Sequence, residues 1–265
     1  MSAERSDLGA RAIVAVPAVA VALFLDIEGG VVFTLGLFAL GCVCMHELYA
    51  MYERANPVRL AGFLGLAGLL AAALYGGQFQ ILLAAVAVVP VLFAVTANQR
   101  RPSVGGMALT LLGIYWIGFA LAHAVLLRRL PHGLGIVIDV LVGVFLGDTG
   151  AYLGGHMFGR RQLAPRISPG KTVEGLVIGM LFGVLGVWIA GRYQEWLPGT
   201  HALVLGVGVA LVSPVGDLFE SFIKREARTK DSGHLFGAHG GALDRLDGVL
   251  FAAVAGYYIW AAYVH

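Results

Sequence analysis

Apolar residues fill this chain in long blocks, broken by short polar or glycine-containing intervals. The blocks run Ala12–Leu25, Val31–Tyr49, Leu60–Tyr75, Ile81–Val95, Met107–Leu127, Leu134 to Asp148 and beyond, Gly175–Ala190, Ala202–Ile223 and Val249–Val264. These are helix lengths, and strands would be shorter. Several blocks fall short of the ~20 residues that an upright membrane-crossing helix needs, so block edges do not mark helix ends. The pattern predicts an all-α, polytopic membrane bundle of about nine transmembrane helices, without internal repeat or soluble domain. The first block follows a short basic start, like a secretory leader. A second long block comes at once and the charge pattern includes the first, so it is read as a retained span. Residues 1–130 are read as scaffold helices and residues 131–265 as the helices carrying the chemistry, in one folded unit.

Composition agrees with a membrane protein. The chain is 58% hydrophobic and 13% charged, where soluble domains carry about 25% charged residues. Glycine is 38 of 265 residues, and small residues let membrane helices approach closely. Cys42 and Cys44 sit inside an apolar block and read as small buried hydrophobes without further zinc ligands nearby. The net charge of +2 says little about partners, and no nucleic-acid partner is expected. The distribution of charge says more. With nine spans, 15 of the 18 Lys and Arg residues fall on the side of the N-terminus, leaving Arg128, Arg129 and Arg192 opposite. Basic residues stay cytoplasmic, so the N-terminus is expected in the cytoplasm, in a plasma membrane of bacterial inner-membrane type.

Eleven of the chain's 34 charged residues crowd into Asp217–Asp247. Asp217, Glu220, Ser221 and Lys224 follow the spacing of one helix face. Asp244 and Asp247 are also one turn apart, after His239-Gly240-Gly241, where glycine permits close backbone approach. Two carboxylate groups flanking a basic, glycine-containing loop suit a divalent metal shared with a polyphosphate. The plainer reading is a solvated loop with salt bridges along a helix face.

Two upstream stretches add candidates. Asp148 and Tyr152 share a helix face, and an embedded carboxylate must be paired, protonated or metal-bound. Ser168-Pro169-Gly170-Lys171-Thr172 contains Gly-Lys-Thr, but a phosphate-binding P-loop would need glycine where Pro165 stands, after a strand. The better reading is a short loop opening a helix near Thr172, with Lys171, Thr172, Glu174 and free helix N–H groups facing an anion. A helix start with a solvent-reaching lysine is the alternative. Glu47, near a block end, is read either as facing the bundle interior and the site or, as is commoner, as an interfacial residue, and Asp139 has no assigned role.

These residues carry a resemblance. Ser221-x-x-Lys224-Arg225, Lys230-Asp231-x-Gly233 and His239-Gly240-Gly241-x-x-Asp244-Arg245-x-Asp247 resemble the signature of the phosphatidate cytidylyltransferases, the CDP-diacylglycerol synthases. So do Asp148-Thr149-Gly150-Ala151-Tyr152-x-x-Gly155 and Ser168-Pro169-x-Lys171-Thr172-x-Glu174-Gly175. The N-terminal half resembles the family only as a multi-span region. The resemblance implies an enzyme that makes CDP-diacylglycerol and diphosphate from CTP and phosphatidate drawn from the bilayer lipids, and it implies a homodimer. Asp217, Asp244 and Asp247 would hold Mg²⁺, with Asp148 a further acid, and the number of acids leaves room for a second cation. Catalysis would fall to Asp217, Asp244, Asp247, Lys224 and Arg245. Tyr152, Ser168, Lys171, Thr172, Ser221, Arg225, Lys230 and His239 would contact substrate. Another lipid phosphate as acceptor, or a transporter, are the other readings. The aspartate pattern of CDP-alcohol phosphotransferases is absent, and no paired half-repeats mark a transporter.

Overall fold

The structure, a computed structural model, describes residues 17–233 and 240–264. Helix α1 covers residues 17–28. Gly29 and Gly30, with φ of +65° and +47°, then turn the chain through a region that side chains resist. Helices α2 (Gly30–Met51), α3 (Arg59–Tyr75) and α4 (Gln78–Ala97) follow. Helix α5 (Val104–Gly113) continues through a π-turn at Ile114–Gly118 into α6 (Phe119–Arg129) as one rod. Next come α7 (Gly133–Phe158), an antiparallel hairpin of β1 (Gln162–Ala164) and β2 (Ser168–Thr172), α8 (Val173–Gly191), α9 (Gly199–Glu226) and α10 (Leu243–Val264).

Among the described residues seven of these rods are long and apolar enough to cross a membrane, and α3 is a shorter apolar helix of 17 residues. The protein is an all-helical polytopic membrane bundle, as the apolar blocks predict. The one departure is the hairpin. The stretch around Ser168 is a strand rather than a plain loop, although the helix does open where expected, with Thr172 Oγ1 accepting from Gly175 N at 3.1 Å. A side-chain oxygen on a first-turn N–H is the usual way to satisfy a helix start.

Glycine decides the closest packing. On α7, Gly143, Gly147 and Gly155 recur every four residues, with Ala151 completing the row, and on α8 Gly175, Gly179 and Gly183 do the same. A Cβ on Gly179 would lie 2.7 Å from the Gly147 carbonyl, and one on Gly183 would lie 2.9 Å from the Gly143 carbonyl. The two backbones therefore touch directly, which only rows of small residues permit.

One end of the bundle is structural. Arg128 bridges the buried Asp26 carboxylate at 3.0 Å and the Asp26 carbonyl at 2.7 Å. Arg129 reaches the carbonyls of Ala73 and Gly76 at the end of α3. Asp139, fully buried, accepts from Gln194 at 2.8 Å. Trp196 stacks on His132 at 4.1 Å, and Trp260 donates to the Pro131 carbonyl at 2.7 Å. Such indoles, apolar with one polar edge, favour a membrane interface.

The N-terminal helices grip the C-terminal ones nearer the opposite end. Trp116, in the π-turn, meets Phe219 of α9 edge-on at 4.8 Å. Tyr52 donates to the Ile223 carbonyl at 2.7 Å. Burial, and then the Glu226 carboxylate, push the Tyr52 phenol above its ordinary value, so the donated proton stays in place. Helix α9 has 28 residues, roughly 42 Å at 1.5 Å per residue, against a hydrocarbon thickness of ~30 Å. Its last turns therefore project beyond the apolar layer.

Candidate active site

Consecutive helices alternate in direction, so the C-terminal ends of α7 and α9, the N-terminal ends of α8 and α10, and the β1–β2 hairpin meet at one end. The hairpin carries Lys171 onto Asp217 of α9 as an ion pair. Both line a cavity of about 460 Å³, together with Asp148, Tyr152, Thr172 and Ser213. Deeper in, the cavity wall is Gly143, Gly147, Gly179 and Ala210, so it is charged at its mouth and narrow-walled and apolar within. Arg225 holds the hairpin turn by donating from Nε to the Ile167 carbonyl at 3.0 Å.

Asp247 sits behind Asp217. Gly216 makes room for it, since a Cβ there would strike the Asp247 carbonyl. Asp247 accepts from Gly248 N at 2.7 Å and lies within electrostatic reach of Asp217, Glu220 and Asp148.

A second charged group surrounds Lys224. Its ammonium bridges Glu220, one helical turn back, at 2.5 Å and Asp244 of α10 at 2.6 Å. The other Asp244 oxygen accepts from Gly241 N at 2.7 Å, Ser232 N at 3.0 Å and Ser232 Oγ at 2.9 Å. Both Asp244 oxygens are thus occupied by protein donors. Glu220 is fully buried, and a buried carboxylate needs such a cation.

The remaining candidates fall around these two groups. Ser168 begins β2 opposite Ala164. Ser221 is half-buried on α9, while Lys230 is exposed beyond it and Arg245 is exposed in the first turn of α10. Tyr152 packs its ring against His156 at 5.1 Å. Thr172 caps α8, and Glu174 accepts from Arg160 N and Arg161 N at 3.0 and 3.1 Å, so those two polar side chains brace the hairpin. His239 lies outside the described residues.

Two further participants are Ser232, which the sequence does not single out, and Glu47, which the structure turns to the bundle interior. Ser232 joins Asp244 to Glu47 of α2, its Oγ standing 3.0 Å from Glu47 Oε2. Glu47 is buried among the segments that lead into α10, accepting from Ala242 N and Leu243 N at 2.9 Å each.

Among the described residues no three His, Cys, Asp or Glu side chains already stand as a metal centre. The donor chemistry nevertheless fits a hard divalent ion. Asp148, Asp217 and Asp247 offer only oxygens, and one ammonium, that of Lys171, already faces both Asp148 and Asp217 where a cation is favoured.

A family model described as the cytidylyltransferase family matches residues 9–263. The chain is 33% identical over 270 residues to a phosphatidate cytidylyltransferase of Bacillus subtilis (strain 168), covering 97% of this chain and 99% of that protein. It is 34% identical over 265 residues to one of Brucella suis biovar 1 (strain 1330), covering 97% of this chain and 94% of the relative. A Pseudomonas aeruginosa protein of the same name is 40% identical over 165 residues, 59% of this chain and 57% of its own length. The match runs through the N-terminal helices as well as the charged end, and the chain belongs to the cytidylyltransferase family.

Proposed function

We propose that this protein is a phosphatidate cytidylyltransferase that transfers a cytidylyl group from CTP to phosphatidate and releases diphosphate. The observation that carries the reading is the cavity with Lys171 and Asp217 at its mouth. It offers cation and carboxylate to a polyphosphate, above an apolar interior suited to the substrate that arrives from the bilayer.

In this reading a phosphate oxygen of the lipid attacks the α-phosphorus of CTP. The bond from that phosphorus to the oxygen bridging to the β-phosphorus breaks, and diphosphate leaves with the electron pair. A phosphate monoester is already anionic near neutral pH, so positioning and charge neutralisation outweigh the need for a base. Mg²⁺, held by Asp148, Asp217 and Asp247, would neutralise phosphate charge. Lys171 exchanges its carboxylate partner for phosphate oxygens. Asp244, which the sequence reading places among the metal ligands, is left out of this set because both its oxygens already meet protein donors, and it instead fixes Lys224 and the start of α10. Arg225, Arg245 and Lys230 add positive charge around the mouth, and Tyr152, Ser168 and Ser221 line the approach. The basic-residue bias supports a cytoplasmic site, where a soluble nucleotide is available, and membrane lipids and a second copy of the chain are the proposed neighbours.

The test is product formation by purified protein in detergent, supplied with CTP, phosphatidate and Mg²⁺, beside Asp217→Ala and Asp244→Ala. CDP-diacylglycerol and diphosphate that need Mg²⁺ and vanish with Asp217→Ala are expected. Turnover that survives Asp217→Ala would remove Asp217 from the metal set. Absence of product from folded wild-type protein would point to another lipid phosphate as acceptor.

A further inference from the structure

Glu47 belongs to the scaffold half, and no step of the proposed reaction uses it, yet its carboxylate sits beneath the charged end. Its side chain accepts from Ala242 N and Leu243 N, and its Oε2 lies 3.0 Å from Ser232 Oγ. Leu243 is the first residue of α10. The first N–H groups of a helix have no partner within it, and a carboxylate there satisfies them and favours the positive end of the helix dipole. Glu47 therefore caps α10 from 196 positions away, where caps normally come from the adjoining chain.

The site is built to admit this side chain. A Cβ on Gly233 would come within 2.6 Å of Glu47 Oε1, and one on Gly241 would strike Oε2 and Ser232 Oγ. The carboxylate thus ties the segment leaving α9 to the segment entering α10. Ser232 has one hydroxyl proton and two acceptors, Glu47 Oε2 and Asp244 Oδ2, at 3.0 and 2.9 Å. The oxygen is shared between the two carboxylates, and through Asp244 the connection continues to Lys224 at 2.6 Å. Close by, Met51 and Tyr52 at the same end of α2 contact Thr229 and the Ile223 carbonyl.

We propose that Glu47 is a positioning residue for the reaction: by capping α10 from the scaffold half it sets where Asp244 and Asp247 stand relative to Asp217 and Lys224. This rests on the cytidylyl transfer proposed above. Glu47→Gln keeps the length but aims an amide N–H₂ at one of the two backbone donors, donor against donor. Full-length Glu47→Gln in detergent is expected to lose roughly 10- to 100-fold in kcat, since small misplacements of reacting groups cost that much. Its KM for phosphatidate should stay within about two-fold of wild type, and amide hydrogen exchange of the peptide holding Ala242 and Leu243 should quicken while the α5–α6 rod is unchanged. Unchanged kcat overturns the inference, and so does a kcat loss with unchanged exchange, which would mean direct action on substrate. If Glu47→Gln does not fold, Ser232→Ala carries the test, with smaller shifts in the same directions. Wild-type turnover with unaltered variant kinetics removes the role of Glu47 alone, whereas absence of wild-type turnover removes the reaction itself.

Discussion

Lys171 and Lys224 both hold carboxylates, but in different settings. Lys171 faces the cavity, paired with Asp217 among the described residues and within electrostatic reach of Asp148, whereas Lys224 is mostly buried between Glu220 and Asp244. Removing one member of a buried charge group leaves the others uncompensated and costs about 3–5 kcal/mol. Lys224→Met should therefore lower the thermal midpoint in detergent by many degrees along with activity. Lys171→Met should keep that midpoint within a degree or two and lose roughly 10²-fold in kcat, the scale of one lost electrostatic contact to a transition state. Equal thermal losses in both variants would contradict the distinction. Much of this end is legible in the sequence, because Asp217, Glu220 and Lys224 repeat at helical spacing and Asp244 and Asp247 sit one turn apart. Two things are not. The saturation of Asp244 depends, beside Lys224, on the Ser232 hydroxyl and on the Ser232 and Gly241 amides, which the chain brings round from outside the helix. Glu47 reaches α10 across 195 positions to Ala242, and no periodicity records such a contact.

At the scale of elements, the α7–α8 seam makes a sharp demand. A leucine at Gly179 would drive its Cβ into the Gly147 carbonyl and the Ala151 backbone, and backbone cannot step aside as a side-chain tip can. Overpacking of this kind costs about 1–3 kcal/mol or more. Gly179→Leu should unfold at lower temperature in detergent, whereas Gly170→Ala, on the hairpin with open space around its Cβ, should match wild type. A wild-type midpoint for Gly179→Leu would mean that the two backbones do not meet at this seam. Glycine excess in the composition foretells a packed bundle, but not which helices meet. The hairpin escapes a reading by pattern because strands of three and five residues are too short for alternation to show. Its register rests on tertiary clamps, Arg225 on Ile167 and Glu174 on the Arg160 and Arg161 amides.

At the scale of the molecule, the helix blocks are readable because a bilayer-spanning rod must be apolar along its length, and α2–α6, α8 and α9 keep within three residues of their blocks, while α10 begins six residues ahead of Val249. Orientation is a separate question, answered by which loops label from outside. In a chain with Cys42 and Cys44 replaced by alanine, Glu195→Cys should react with an impermeant maleimide on intact cells, and Arg166→Cys only after permeabilisation. Both positions are exposed and lie on connections at opposite ends of α8. The reverse pattern would place the cavity mouth away from cytoplasmic CTP. One consequence reaches across the whole chain. The π-turn at Ile114–Gly118 acts as a phase correction inside the α5–α6 rod. Were these residues to wind as ordinary α-helix with none removed, Val104–Gly113 would turn by about 100° against α6. Thr110, which receives Val58 N at 2.9 Å on its hydroxyl and the Tyr49 hydroxyl on its carbonyl, would swing away from both. This rod can therefore lose its extra residue at the π-turn with its two halves still in register, but straightening the turn with every residue kept would put them out of step.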